Sequence, residues 1–295
     1  MFTDGPTTPR RVEVFLDVVR WFGERGERKF KRSALIELMQ PETLPELPPR
    51  RDQATATLLA ASELGFVATH GDIVETTFDA ASRVSSRRLL ITAFESTVLA
   101  QMDVERHLAL FYSFLLGLGV RASQHGSDEL VIDFEAKVYG GVRGENPFNT
   151  TKLAGLRRWL RYVGLGWHDS DDTFHPSPYG RVKRSLVPLF GRKRKLDSEG
   201  FRNGLAELCP ELDGGWIFRK ANLALNVTER VLTLGLSQAL IALHDDRIIR
   251  LHSYPDSQGW SLIAAEPTPD NQTFKADRIE SVEFLKHSEE EADRD

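Results

Sequence analysis

The chain has 295 residues and a formal net charge of -5, with 41% hydrophobic and 27% charged residues. That length allows two or three small domains, and that composition is ordinary for a globular fold. The single cysteine, Cys209, excludes an intramolecular disulfide framework, so a secreted scaffold is not expected.

No apolar run approaches the roughly 18 residues that a membrane helix needs. The start, MFTDGPTTPRR, lacks the apolar core of a signal peptide. The expected setting is the cytoplasm, away from membrane, and the Asn-x-Thr triplets at Asn149, Asn226 and Asn271 then read as chance matches.

Residues up to about Pro9 are expected to be disordered. Between Arg11 and Phe22, Val12, Phe15, Leu16, Val19 and Phe22 recur at spacings of 3 and 4, which predicts a helix with one buried stripe. The basic stretch GERGERKFKR leads to a short second helix over Ser33 to Met39, with Ser33 as its cap. PETLPELPP forces a loop. A third helix is expected from about Gln53 to Leu64, capped by Asp52 and ended by Gly65. Strands at 66–68 and 73–77 then turn at His70-Gly71-Asp72. Three helices and a hairpin make a complete winged-helix layout.

The closing half of that layout, an amphipathic helix followed by a β-hairpin, recurs. Its first copy is Asp52 to Thr77, its second Asn149 to Gly180, and its third Gly235 to Ala264. Before the second copy come two helices dense in Leu, Phe and Ala, LLITAFESTVLAQ and ERHLALFYSFLLGLG. An irregular stretch follows, with VIDFEAK as a strand. The second copy is capped by Asn149, Thr150 or Thr151. It turns Leu153, Leu156, Leu160 and Val163 inward and Arg157, Arg158 and Arg161 outward or sideways. Trp167 and the turn Asp169 to Asp172 form its wing, closing at Pro176 and Pro178.

RVKRSLVPLFGRKRKLD, the most basic run, comes next. The last unit offers helices over Phe201 to Leu208 and Thr228 to Ala242, then RIIRLHSY paired with WSLIAAE across PDSQG, and a final short strand IESVEFL. The fold class is mainly α with small β-hairpins (α+β), built of tandem winged-helix domains. Domain 1 spans 10–80. A helical region with domain 2 spans 85–195, and a winged-helix-like domain 3 spans 198–285. An acidic tail covers 286–295.

Charge is unevenly placed. Thr150 to Lys195 holds eleven Lys and Arg against three Asp, whereas Asp277 to Asp295 holds eight acidic and three basic residues. This suggests a basic working face and a solvated tail. Lys152, Arg157, Arg158 and Arg161 supply the second copy's helix with groups able to reach DNA. Arg181, Lys183, Arg184, Arg192, Lys193, Arg194 and Lys195 could neutralise phosphates, which gives binding a steep salt dependence. The same residues also suit a solvated face or an acidic partner. The first copy's helix has no basic residue, and the third copy's Arg247 and Arg250 fall on a strand. At least one module is therefore expected to pack or to bind a partner.

Catalytic motifs are sparse. VIDFEAK would set Glu135 and Lys137 on one face of a strand, as metal-dependent nucleases with an ExK strand require, with Asp133 on that face and Asp128 upstream. Such a triplet arises often by chance, and an ordinary half-exposed strand is the stronger reading. HDSDDTFH fits no closed zinc pattern, and a polar wing tip would look the same. Cys209 reads as a small buried hydrophobe. GGVRGEN lacks the Lys-Ser/Thr of a P-loop. No catalytic residue, metal or cofactor is assigned.

The length, the tandem helix–wing units and the end pattern LSQALIALHDDRIIRLHSYPDSQGWSLI resemble the DpdG family. That family is encoded with the bacterial systems that place 7-deazaguanine derivatives in DNA and restrict unmodified DNA. The resemblance implies a role beside helicase-like and nuclease-like partners in phage or plasmid defence, and supplies no active-site residues. The expected function is a DNA-binding, non-catalytic accessory subunit acting on double-stranded DNA with other subunits of a defence complex. The alternatives are a protein-binding winged-helix scaffold, as in condensin-like loaders, and a metal-dependent nuclease using Glu135 and Lys137.

Overall fold

The first helix opens where Thr8 can cap it. Its hydroxyl accepts from the Arg11 amide at 3.4 Å, and Pro9 follows in the first turn, where no intrahelical amide is needed. The computed structural model describes residues 7–40, 52–80, 82–100, 106–141, 147–223, 230–253, 259–263 and 278–285. Residues 1–6 of the expected disordered start, the 41–49 loop, the GGVRGEN loop beyond Gly141, the PDSQG turn up to Gln258 and the acidic tail lie outside the described residues. Thr7 and Pro9, expected in that disordered start, are instead buried, and Pro9 already belongs to the first helix.

In chain order the elements are α1 (Pro9–Gly23), β1 (Lys29–Lys31), α2 (Arg32–Met39), α3 (Asp52–Glu63), β2 (Val67–His70), β3 (Ile73–Thr76) and α4 (Ser86–Phe94). A π-helical turn, Glu95–Leu99, extends α4. Then come α5 (Arg106–Leu118), α6 (Arg121–Gln124), α7 (Ser127–Tyr139), α8 (Thr150–Tyr162), β4 (Gly166–His168), β5 (Phe174–Pro176) and α9 (Tyr179–Phe190). The series closes with β6 (Lys195–Asp197), α10 (Ser198–Leu208), α11 (Trp216–Ala221), α12 (Leu234–Asp245), β7 (Ile249–His252), β8 (Trp260–Ser261), β9 (Arg278–Ile279) and β10 (Ser281–Phe284). The chain is mostly helical with small antiparallel sheets. It divides into two units, Met1–Leu108 with Phe148–Val163 and Ala109–Pro147 with Gly164–Asp295.

In the first unit α1 buries Val12, Phe15, Leu16 and Val19, the stripe that the spacing predicts. Each such side chain contributes about 1.5–3 kcal/mol when taken out of water. Gly65 at φ +78 ends the α3 segment, and Gly71 at φ +61 turns the hairpin. Helix α2 begins at Arg32, one residue before the expected cap. Its cap position is Lys31, which makes no side-chain capping bond, so Ser33 sits inside the first turn. Asp52 is likewise the first helical residue of α3, and Gln40 Oε1 accepts from the Ala54 amide at 3.2 Å. The basic stretch before α2 hides a strand. β1 pairs with β3, with Lys29 opposite Glu75, giving the sheet order β1-β3-β2. Trp159 of α8 is fully buried and stacks on Phe94 of α4 at 5.6 Å.

The second unit is built on α5, whose side chains from Ala109 to Leu116 are buried. VIDFEAK is no strand but part of α7. Leu130 and Phe134 form its buried i, i+4 stripe while Ile132 is 67% exposed, and Phe134 packs edge-on against Phe111 at 5.1 Å. Residues two apart on a helix point about 200° from each other, so Glu135 and Lys137 share no face. Lys137 instead pairs with Asp133 one turn back, at 2.5 Å. This removes the geometric basis of the ExK reading.

The third helix–hairpin copy is corrected as well. Helix α12 begins at Leu234 under a Thr233 cap, not at Thr228. β7 pairs with β10, setting Leu251 opposite Val282, while β8 pairs with β9. β10 also pairs with β6, giving the order β6-β10-β7. Helix α9 packs against α10 and α12. Both units therefore repeat one sequence of elements: helix, strand, helix, helix, strand, strand, with the last strand central. The first unit does so with α1-β1-α2-α3-β2-β3. The second does so with α9-β6-α10-α12-β7-β10, with α11, β8 and β9 inserted.

Candidate nucleic-acid interface

Asn149 starts α8, its Oδ1 accepting from the Lys152 amide at 2.9 Å. From that start the helical period sends Leu153, Leu156, Trp159 and Leu160 into the core and leaves Arg158 and Arg161 exposed. Arg157 is half-buried. Lys152 is 2% exposed, so its ammonium is not on the surface with the arginines.

The basic run after the second hairpin splits in the same way. Arg181 points inward from α9. Its Nε donates to Glu211 Oε1 at 2.8 Å and its Nη2 donates to the Leu208 carbonyl at 2.7 Å. An arginine so held is a core group and offers no fork to a phosphate. Lys183 and Arg184 are exposed on α9. Beyond it Gly191, at φ +53, turns the chain, and Arg192, Lys193, Arg194 and Lys195 are exposed. The eleven expected residues thus belong to two units, with Lys152 to Arg161 in the first and Arg181 to Lys195 in the second.

Within the first unit, Arg158 and Arg161 meet two arginines that no local motif announces. An open groove of about 360 Å3 is lined by Thr8, Pro9 and Arg10 of the α1 start, Arg87 of α4, and Arg158, Arg161 and Tyr162 of α8. Glu13 braces it. Its Oε2 lies 2.8 Å from Arg10 Nη1 and accepts from the Tyr162 hydroxyl at 2.7 Å. The Arg87 guanidinium lies 5.7 Å from the Tyr162 ring centre. Partial burial, then the bond to Glu13, pushes the Tyr162 hydroxyl well above its ordinary pKa.

The HDSDDTFH wing is a structured tip. Asp169 Oδ1 accepts from the Asp171 and Thr173 amides at 3.0 and 2.9 Å, and Oδ2 meets His175 Nε2 at 2.8 Å. The His175 bond, followed by that from Thr173, holds the Asp169 carboxyl below the usual range. Among the described residues no group of three or more His, Cys, Asp and Glu side chains is arranged to hold a metal ion. Cys209 is buried, its Sγ 3.1 Å from Ser185 Oγ.

A family model described as DpdG-like matches residues 3–257. The chain belongs to the DpdG-like family. No curated protein and no solved structure matches it. In this DpdG-like chain the matched span takes in the arginine groove, the second hairpin and the basic α9–β6 segment, and stops before β8. Among the described residues no helix is long and apolar enough to cross a membrane.

Proposed function

We propose that the chain is a DNA-binding, non-catalytic accessory subunit of the Dpd system, the bacterial machinery for 7-deazaguanine in DNA, and that it works beside helicase- or nuclease-like subunits on double-stranded DNA. Family membership supports the system. The observation that carries DNA binding is the exposed, unburied arginine pair of α8, Arg158 and Arg161, opening on a groove with further guanidinium groups. Guanidinium forks match phosphate oxygens and fix a protein on a duplex without reading sequence. The repeated element order, with its central last strand, supports a winged-helix reading of α1–β3 and of α9–β10.

Two features favour a protein contact for the third helix of each of those modules, α3 and α12. Helix α3 has no Lys or Arg and exposes Leu59, and α12 is buried on most of its surface. Neither suits a helix that enters a charged groove. The α8 arginines and the exposed Lys183–Lys195 cations are then the DNA contacts.

Duplex affinity measured against salt tests this. Each phosphate neutralised adds about -0.9 to the slope of log K on log salt. A steep slope that falls in the Arg158→Glu/Arg161→Glu variant supports the proposal. Duplex binding that is absent, or indifferent to salt, overturns it in favour of the protein-scaffold reading.

A further inference from the structure

We propose that the groove between α1, α4 and α8 is a phosphate-binding site for the DNA backbone, in which Arg10 and Arg87 act together with Arg158 and Arg161. This rests on the DNA-binding reading and adds two residues and a location to it. Four guanidinium groups from three helices line one open groove of about 360 Å3. The carboxylates that act on Arg10 are Glu13 and, more weakly, Asp17. Glu13 is shared with the Tyr162 hydroxyl, so the groove keeps an excess of positive charge.

That excess is costly to assemble without an anion. Like charges around a single groove repel, and screening by water and salt only reduces the effect. The two helix starts add to it. Neither α1 nor α4 has an acidic residue in its first turn, and each carries an arginine there, against the preference set by the helix dipole. An oxyanion in the groove relieves both conflicts. The tyrosine between the arginines organises them: Glu13 fixes its hydroxyl, and its ring lies beneath Arg87.

The shared chemistry is a phosphate oxyanion, which a DNA strand or a free nucleotide could supply. The lining favours the strand. Small-molecule pockets are clefts or cavities that enclose most of the ligand's surface. This groove is open, its charged groups are all guanidiniums, and the one aromatic face in its lining, that of Tyr162, is approached by Arg87. Such a surface holds a backbone and offers little to a base.

The test uses the full chain. Affinity for a blunt duplex without terminal phosphates is measured across salt for wild type, Arg87→Ala, Arg10→Ala/Arg87→Ala and a triple Ala variant of Arg192, Lys193 and Arg194. Circular dichroism confirms that each is folded, which the exposure of all these residues favours. Arg87→Ala is expected to lower the salt slope by about one, and the double variant by about two. If the groove variants keep the wild-type slope while the triple variant loses it, the groove proposal fails and DNA binding stands. A wild type that ignores duplex but binds pyrophosphate or a nucleoside triphosphate, with loss in Arg87→Ala, overturns the DNA reading and this source of phosphate. If neither probe binds, both proposals fail.

Discussion

Arg181 and Glu211 form an ion pair 2.8 Å long with side chains 9% and 0% exposed. Breaking a buried pair by removing one partner leaves an uncompensated charge and costs about 3–5 kcal/mol. Glu211→Ala is therefore expected to destabilise the second unit by that order in urea denaturation. Arg181→Ala should also destabilise, and should leave the salt slope of DNA binding unchanged in protein that remains folded. A loss of one unit of slope with stability intact would place Arg181 on the DNA instead.

Gly117 of α5 is set by close approach. A Cβ built there lies 1.9 Å from Asn222 Oδ1. Asn222 has little room to give way, because its Nδ2 donates to the Ser113 and Phe218 carbonyls at 2.9 and 3.1 Å. Gly117→Ala is expected to cost about 1–3 kcal/mol, the usual range for overpacking. An Asn222→Ala/Gly117→Ala double variant should recover part of that loss. If the single substitution leaves the urea midpoint unmoved, the packing of α11 on α5 differs from that described.

How far these features could be read from sequence depends on how locally they are encoded. The first helix–hairpin was legible because Gly65 and Gly71 sit at backbone positions that demand them. The third was mispaired because β10, the true neighbour of β7, lies beyond β8 and β9, whereas WSLIAAE is the nearer apolar run. VIDFEAK looks alternating, yet Leu130 with Phe134, the acids Asp128 and Glu129 at the start and Gly140 at the end are all helix signals. Inside the basic run, nothing marks Arg181 as different from Lys183, because its partner Glu211 lies on a separate segment. Arg10 and Arg87 escaped for the same reason, since the groove gathers them from distant parts of the chain.

Asp213 makes stability depend on pH. It is 6% exposed and accepts from the Thr233 amide at 2.6 Å and the Thr233 hydroxyl at 2.8 Å, which ties it to the cap of α12. Burial raises its pKa above 3.8, outweighing the bonds from Thr233. Between 3.8 and that raised value the folded state holds more protons than the unfolded state, so this residue's contribution falls as pH rises. Urea midpoints of wild type and Asp213→Asn across that window should show a smaller decline in the variant. A variant that declines as steeply as wild type would remove Asp213 as the source.

Trp167 is 53% exposed and lies nearly flat on His175, with ring centres 4.4 Å apart and planes 17° from parallel. Asp169 fixes that imidazole, so the exposed indole is held by a chain of contacts that begins in the turn. A double-mutant cycle of Trp167→Ala and His175→Ala should give a coupling of about 0.5–1.5 kcal/mol at neutral pH, the range for aromatic pairs. The Asp169 carboxyl titrates below its ordinary value, chiefly through His175. Its stabilising effect is therefore present above that ordinary value and lost as pH falls through the lowered one. Asp169→Asn should accordingly weaken the hairpin at neutral pH and make little difference in strong acid. Zero coupling between the two rings would mean that the indole stands apart from the histidine in solution.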